Sequence, residues 1–196
     1  MGGRAGGSGS RMGSRGGGKR ELSAAQNRVL DLVHSGQWWG MHWKDREKLL
    51  QEADKNAETL KETLDQYAKA GVMDALVAYQ GSGYRYMNDR AMGKKTGDKK
   101  FDKEIATHMK NLDKAIMMRK TTHDMIVWRG SSRAEKDSRR YVSVSLHAEV
   151  SNGFTTGKHL HAFLIPKGTN YAYSNRIGEW EMILPRGTKL QKFKIK

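Results

Sequence analysis

The sequence predicts an α+β fold in which helices come first and a mainly antiparallel sheet follows. Between residues 45 and 116, apolar side chains recur at three- and four-residue steps, which is the period of amphipathic helices. From Met125 onward, short apolar runs bounded by glycine, proline and polar residues replace that period, and such runs are typical of strands. The chain has 196 residues, enough for one compact domain and a tail.

The first 20 residues differ in composition from the rest of the chain. They hold nine glycines and five basic residues but no acid. Because such a segment buries little apolar surface, we predict that residues 1–20 are a disordered tail. The tail is either an arginine- and glycine-rich arm that contacts nucleic acid weakly or a flexible leader. Residues 21–196 are expected to form a single domain.

The elements of this domain follow from its periodicity and its turn residues. The predicted helices cover residues 22–33, a long stretch from Asp45 that ends at Gly71, residues 72–79, a short helix that begins near Tyr84, and residues 101–116. The predicted strands cover residues 125–129, 141–146, 159–165, 170–173, 180–184 and 189–195.

The composition excludes several classes of protein. The chain has no cysteine, so it has no disulfide and no thiolate ligand or nucleophile. No apolar run approaches the roughly 18 residues that a spanning helix needs, so we expect no membrane partner. His159 and His161 lie two apart without an evident third ligand, so we expect no metal. The formal charge of +15 either favours a polyanionic partner or serves solubility.

Polar motifs mark three of the predicted strands. Arg129 ends an apolar strand and precedes a glycine, where a guanidinium can bind a phosphate through two hydrogen bonds. Ser143 and Ser145 share one face of the next strand, where a hydroxyl can hold a neighbouring carboxylate. Taken alone, the arginine fits a solvated strand end and the serines fit a strand with one wet face.

Two acids lie two residues apart where a polar turn becomes an apolar strand. Because side chains at i and i+2 of a strand point to the same face, Glu179 and Glu181 are expected to project together, with Trp180 on the other side. Two carboxylates beside one cleft can divide their roles, one stabilising a cationic sugar and the other handling the nucleophile. The alternative is a solvated strand end with two surface acids.

The order of Arg129, Ser-x-Ser and Glu-x-Glu resembles the motifs of mono-ADP-ribosyltransferases, in the form of the clostridial binary toxins and the phage-encoded ADP-ribosyltransferases. Residues 79–88 (Tyr-Gln-Gly-Ser-Gly-Tyr-Arg-Tyr-Met-Asn) resemble the family's "Tyr-Thr-Gly-Ser…Tyr…Ile-Asn" segment, which lines its NAD cleft. Residues 181–188 resemble the strand after the family's second glutamate. The resemblance spans roughly residues 45–195 and implies helices packed on a split β-sandwich core of the ADP-ribosyltransferase type.

The resemblance assigns catalytic roles to four residues. Glu181 would be the essential glutamate, hydrogen-bonded to the 2′-hydroxyl of the nicotinamide ribose, and Ser143 would orient it. Arg129 would bind the phosphate and ribose side of NAD. Glu179 would hold and activate the accepting side chain, and in this family a glutamate at that position goes with arginine acceptors.

The resemblance also implies further contacts with NAD. Tyr84, Arg85 and Asn88 belong to the segment that lines the cleft. Gly130 would let the backbone approach the nicotinamide amide. Phe154, in the loop after the serine strand, would pack on the nicotinamide ring.

The sequence departs from the family pattern at two positions. Val144 replaces the middle residue of the Ser-Thr-Ser motif, but its side chain is expected to face away from the serines. Met92 stands where the family often has an arginine. Arg85, Arg90 or Lys94 would supply the missing charge for the phosphates, and the sequence leaves these three alternatives open.

The implied activity is transfer of ADP-ribose from NAD to an arginine of a target protein, with release of nicotinamide. One alternative uses the same site to hydrolyse NAD, or to attach ADP-ribose or an NAD-capped RNA to a basic or nucleic-acid-bound protein. Another is a non-enzymatic nucleic-acid-binding protein, for which the charge and the tail are the reasons. We expect a cytoplasmic monomer, in a bacterial host if the chain is phage-encoded.

Overall fold

The computed structural model describes residues 42–60, 63–130, 139–153, 160–174 and 178–190. Four sequence expectations lie wholly or mostly outside these residues: the tail at residues 1–20, the helix at residues 22–33, the position of Phe154 and the strand at residues 189–195. Among the described residues, no helix combines the length and apolar character needed to cross a bilayer.

Helices fill the first part of the described chain and strands the second. The helices are α1 (Trp43–Leu60), α2 (Thr63–Lys69), α3 (Met73–Ala78), α4 (Tyr84–Ala91), α5 (Lys99–Met117) and α6 (Ala148–Gly153), and a π-helical turn, Tyr79–Gly83, joins α3 to α4. The strands are β1 (Met125–Gly130), β2 (Val142–Ser145), β3 (Leu160–Ile165), β4 (Ala172–Ser174) and β5 (Glu181–Leu184).

The five strands form one sheet in the order β3-β1-β2-β5-β4. Every neighbouring pair is antiparallel, which confirms the predicted α+β class with a mainly antiparallel sheet. In the central pair, Ser145 lies opposite Glu181 and Ser143 lies opposite Ile183. This register brings the Ser-x-Ser motif beside the second acid of the Glu-x-Glu motif.

Two apolar cores lie on the two sides of the sheet. Ala53, Ala57 and Leu60 of α1 pack with strand residues that include Val144 and Met182. A second core joins the side chains of α2 to α5 to Tyr141, Ala172 and Ile183. Val142 and Val144 face the first core, so the intervening Ser143 faces the helices of the second.

Local contacts form two helix ends, of which the sequence analysis predicted the one at Gly71. Gly71 has a φ of +68°, and Val72 N–H donates to the carbonyl of Tyr67 at 3.0 Å, which is the Schellman ending of α2. Asp98 caps α5, since its Oδ1 accepts hydrogen bonds from the backbone of Lys100 at 2.8 Å and Phe101 at 3.1 Å.

The long helix expected from Asp45 to Gly71 corresponds to α1 and α2, and residues 61–62 between them lie outside the described part of the chain. The structure differs from the expected elements after β2. Where a loop was expected after β2, the structure has α6. A buried contact holds this helix, because the Ser151 hydroxyl donates to the carbonyl of Trp128 at 3.0 Å, and local sequence does not show such a tertiary contact.

Candidate active site

The candidate site lies where β2 pairs with β5, beside the π-helical turn. The Glu181 carboxylate accepts hydrogen bonds from the Ser143 hydroxyl and from Gln80 Nε2, the latter at 3.3 Å. The Tyr79 hydroxyl lies 3.1 Å from Ser143 Oγ. A carboxylate only accepts, so Ser143 donates to Glu181 and Tyr79 donates to Ser143.

Arg129 reaches the same place from the end of β1. Its Nη1 donates to the backbone carbonyl of Ser143. Its positive charge acts on both Glu181 and Tyr79. The structure therefore brings Arg129, Ser143 and Glu181, which are distant in the sequence, into one cluster.

The pKa of the Glu181 carboxyl is raised above its ordinary value. Burial is the main cause, and the negative charge of Glu179 adds to it. The hydrogen bonds from Ser143 and Gln80 and the charge of Arg129 act in the opposite direction. The pKa of Glu179 is also raised, by its partial burial.

The two acids come together for a different reason from the one that the sequence suggested. β5 begins at Glu181, so strand alternation does not extend to Glu179. Trp180 between them has a φ of +44°, and among the described residues it is the one non-glycine position with positive φ. The acids are nonetheless near enough for the charge of Glu179 to raise the pKa of Glu181.

The end of β2 holds the backbone of this kinked segment. Ser145 Oγ donates to the carbonyl of Glu179 at 2.7 Å, and the N–H of Leu146 donates to the carbonyl of Trp180 at 3.1 Å. The Trp180 ring packs against His147, with 4.4 Å between ring centroids. The second serine of the Ser-x-Ser motif therefore supports Glu179 through its backbone.

The π-helical turn carries two of the residues that contact the cluster. Burial raises the pKa of Tyr79 to about 12, so its hydroxyl keeps its proton at neutral pH. At Gly81 the backbone leaves helical geometry, with φ −86° and ψ −141°. At Gly83 an added Cβ would lie 2.4 Å from the carbonyl oxygen of Ala78, so this turn needs a glycine there.

The other expected NAD contacts lie around this turn. Asn88 Oδ1 accepts from the N–H of Tyr141 at 2.9 Å, and the Asn88 side chain also hydrogen-bonds Tyr79. Tyr84 is 42% exposed, and its hydroxyl accepts from Arg85 Nε at 3.0 Å. Gly130 ends β1 opposite Leu160 of β3.

Three cations were candidates to replace the arginine missing at Met92. Arg90 lies 3.8 Å from Asp102, and Lys94 lies 3.0 Å from Asp89, so both face a carboxylate. The Arg85 guanidinium instead lies over the Tyr84 ring, 5.6 Å from its centroid. Within the described part of the chain, Arg85 is thus the candidate whose charge is not directed at an acid.

The sequence analysis did not single out Gln80 or Ser174. Gln80 stands between Tyr79 and Gly81, and its amide contacts both Glu181 and the Ser174 hydroxyl. Ser174 is 3% exposed at the end of β4. One signal was available, since Gln80 is a long polar side chain next to a run of glycine and serine at residues 81–83.

The described residues contain no group of three or more histidine, aspartate or glutamate side chains arranged to hold a metal ion. Two histidines instead pair with polar side chains. His147 Nε2 lies 3.1 Å from Asp54 Oδ1, and His123 Nε2 lies 3.0 Å from Asn56 Oδ1. These contacts join helix α1 to residues next to strands β2 and β1.

Solved structures with a similar fold were found among bacterial toxins. The ADP-ribosylating toxin BECa of a C. perfringens binary enterotoxin, solved with NADH, has a TM-score of 0.57 and 17% identity, over 70% of this chain and 41% of the toxin chain. The enzymatic component C2-I of the Clostridium botulinum C2 toxin has a TM-score of 0.50 and 13% identity, over 68% of this chain and 39% of its own.

These matches define the class of fold. The chain has the α+β fold of the ADP-ribosylating toxins, which confirms the resemblance noted in its motifs at the level of the fold. It spans about two fifths of the length of the two toxin chains, which are covered to 41% and 39%. No protein-family model matches the sequence, and no curated protein matches it.

Proposed function

We propose that this chain is an NAD-dependent mono-ADP-ribosyltransferase that modifies arginine side chains of target proteins. The observation that carries the proposal is the convergence of Arg129, Ser143 and Glu181, with the charge of Glu179 beside them. The fold shared with BECa, whose structure holds NADH, supports a nicotinamide dinucleotide as the substrate. The reaction proposed here uses no metal.

NAD binding is assigned to residues around the turn and the end of β1. Arg129 binds the phosphate and ribose side, and Gly130 lets the backbone approach the nicotinamide amide. Arg85 supplies the phosphate charge that Met92 lacks, because its guanidinium lies over Tyr84 rather than on a carboxylate. Tyr84, Asn88 and Phe154 keep the roles that the resemblance implies: the first two line the NAD cleft, and Phe154 packs on the nicotinamide ring.

Bond cleavage is assigned to Glu181. The bond between ribose C1′ and the nicotinamide nitrogen breaks, its electron pair moves onto the pyridinium ring, and neutral nicotinamide leaves. The ribose becomes oxocarbenium-like, as in glycoside cleavage. The Glu181 carboxylate, hydrogen-bonded to the ribose 2′-hydroxyl, stabilises that positive charge more than it stabilises ground-state NAD.

Transfer is assigned to Glu179. A guanidinium nitrogen of the target attacks C1′, the new C–N bond forms, and the proton that this nitrogen loses passes to the Glu179 carboxylate. The raised pKa of Glu179 makes its carboxylate a better proton acceptor than an ordinary glutamate. A glutamate at this position is the feature that favours arginine over other acceptors.

Two substitutions test these assignments with labelled NAD. Glu181→Ala is expected to lower both nicotinamide release and protein labelling by about 100-fold or more, because charge stabilisation is lost. Glu179→Ala is expected to lower labelling by about 100-fold while nicotinamide release into water continues. Glu58→Ala, at an exposed position on α1, is the matched control.

The outcomes separate the alternatives. Labelling by Glu181→Ala at the parental rate would contradict the active-site assignment. Free ADP-ribose without a modified macromolecule would favour NAD hydrolysis, and labelled RNA on protein would favour an NAD-capped RNA as donor. A salt-sensitive nucleic-acid complex that ignores both NAD and Glu181→Ala would favour the non-enzymatic alternative. Mass spectrometry of the modified residue tests the arginine assignment.

Several expectations about the whole protein remain part of this proposal. They are a single catalytic domain at residues 21–196, a cytoplasmic location and a monomeric state. Target proteins that are themselves associated with nucleic acid would fit the formal charge of +15. Sizing of the purified protein and identification of labelled proteins in a bacterial lysate test these expectations.

A further inference from the structure

We propose that Gln80 is a positioning residue that holds the Glu181 carboxylate in its reactive orientation, and that Ser174 fixes Gln80 in turn. The inference rests on the proposed function, because it names a residue that acts through Glu181. Gln80 is expected to contact neither NAD nor the acceptor. Its effect is on the rotamer and the charge state of the carboxylate.

The Gln80 amide accepts a hydrogen bond on one side and donates one on the other. Ser174 Oγ donates to Gln80 Oε1 at 2.8 Å, and Gln80 Nε2 donates to Glu181 Oε2 at 3.3 Å. The amide cannot be turned round without loss, because its oxygen would then face a carboxylate that only accepts. Ser174 and Gln80 therefore form a relay of donors that ends on Glu181, and this Ser174–Gln80 relay favours the ionised carboxylate.

A second relay approaches the same carboxylate from another side. Tyr79 donates to Ser143, and Ser143 donates to Glu181. Ser143 comes from β2, whereas Gln80 comes from the turn and Ser174 from β4. A carboxylate held from two directions loses the freedom to rotate, which is how a catalytic group becomes preorganised.

The turn gives Gln80 a fixed place. Tyr79 is 3% exposed and anchors the turn on Ser143, one residue before Gln80. Gly83 packs so closely on the carbonyl of Ala78 that a Cβ would lie 2.4 Å from its oxygen. The backbone at Gln80 is thus constrained on both sides, and the amide is placed by the fold rather than by a mobile loop.

The test replaces Gln80 by methionine, which keeps the length of the side chain and removes the donor. Gln80→Met is expected to lower kcat for nicotinamide release by roughly 10- to 100-fold, with KM for NAD within about 3-fold of the parent. Gln51→Met, the same change at an exposed position of α1, is the control and should match the parent. A large rise in KM with kcat unchanged would overturn the positioning role, since it would indicate direct binding of NAD.

A second measurement does not depend on activity. With the Glu side-chain carboxyl carbons labelled, the Glu181 NMR signal is assigned by its loss in Glu181→Gln and is titrated with acid. Gln80→Met is expected to move the titration midpoint upward by roughly one pH unit, because one donor to the carboxylate is gone. An unchanged midpoint would overturn the proposal. If the midpoint shifts upward but the protein never cleaves NAD, the hydrogen-bond relay is supported and the proposed function is contradicted.

Two more variants distinguish an effect on the Glu181 carboxylate from a non-specific disturbance of the structure. Gln80→Glu keeps the shape and places a second acid beside Glu181, so the midpoint should rise further than in Gln80→Met. Ser174→Ala should slow nicotinamide release in the parent but add little in the Gln80→Met background, because the two residues act in series. Fully multiplicative losses from Ser174→Ala and Gln80→Met would contradict the relay.

Discussion

Glu181 combines two properties that oppose each other. Its burial disfavours the charged form and raises its pKa, yet the proposed chemistry needs the charged form. Three donors or charges, from Ser143, Gln80 and Arg129, offset part of that penalty. A site with an incompletely compensated charge is typical of places where stability is given up for function.

Replacing Glu181 by glutamine is therefore expected to stabilise the protein while it removes activity. The amide keeps an oxygen for the Gln80 donor and carries no charge, so unfolding should cost about 1 kcal/mol more at neutral pH. For a chain of this size, that corresponds to a rise in Tm of about 2–4 °C. Differential scanning calorimetry of Glu181→Gln against the exposed Glu58→Gln tests this, and a lower Tm would contradict it.

The sign of the pH dependence follows from the raised pKa. Between the ordinary glutamate value of about 4.3 and the raised value, the folded protein binds more protons than the unfolded chain. As the pH rises through this window, the free energy of unfolding of the parent protein therefore falls. That of Glu181→Gln does not show this loss. The stability difference between the two proteins should be smaller at pH 4 than at pH 8, as urea unfolding at both pH values can measure.

The pH profile of activity is expected to fall on the acidic side, whereas the stability of the parent falls as the pH rises. Because the carboxylate is the active form, kcat/KM for nicotinamide release should fall on acidification at a pH above the ordinary glutamate value of about 4.3. Glu179→Gln removes a charge that raises the pKa of Glu181, so it should move this limb to lower pH. An acid limb that does not respond to Glu179→Gln would show that another group controls it.

At this scale the sequence predicted residues better than it predicted contacts. Motif order brought out Arg129, Ser143 and Glu181, and the structure gathers them. Strand alternation gave the wrong reason for the approach of Glu179, because the kink at Trp180 depends on contacts with β2. Gln80 was missed because its partner Ser174 is 94 residues away in the sequence.

Among the elements, the turn Tyr79–Gly83 carries the sharpest sequence requirement. Gly83→Ala is expected to cost about 1–3 kcal/mol of stability, because the new methyl group would meet the backbone carbonyl of Ala78. Gly81→Ala is the matched control, since nothing lies within 4 Å of a Cβ there. Chemical denaturation of both variants tests the claim, and equal losses would contradict it.

The helices and strands were predictable wherever local signals dominate. The periodic helix α5, expected over residues 101–116, and the ending of α2 at Gly71 follow from side chains within one or two turns. The Asp98 cap is equally local but was not singled out. Helix α6 was not predicted. It has only six residues, and a buried hydrogen bond from Ser151 to the carbonyl of Trp128 in β1 holds it. Among the described residues one pair, Trp128 with Ser145, sets the register of β1 against β2, and the sequence pattern does not reveal it.

At the scale of the whole chain, five of the basic residues lie within the first 20 positions. Removal of residues 1–20 takes away five positive charges and, if the domain begins at residue 21, leaves NAD cleavage within about 2-fold of the parent. Binding to duplex DNA should weaken, and the slope of log affinity against log salt should flatten by up to about 4.5. Paired nicotinamide-release and DNA-binding assays test this, and lost cleavage would place the tail within the catalytic unit.

The carbonyls of Glu179 and Trp180 are both fastened to the end of β2, by Ser145 and Leu146. We therefore expect Glu179 and Glu181 to shift together, and the described chain turns just upstream of them at Gly178, which has a φ of +74°. The residues before Gly178 and the two acids after it can therefore change independently during evolution. If the proposed function holds, substitutions before Gly178 are expected to change which target protein is modified, while the residues proposed to split the dinucleotide are inherited unchanged.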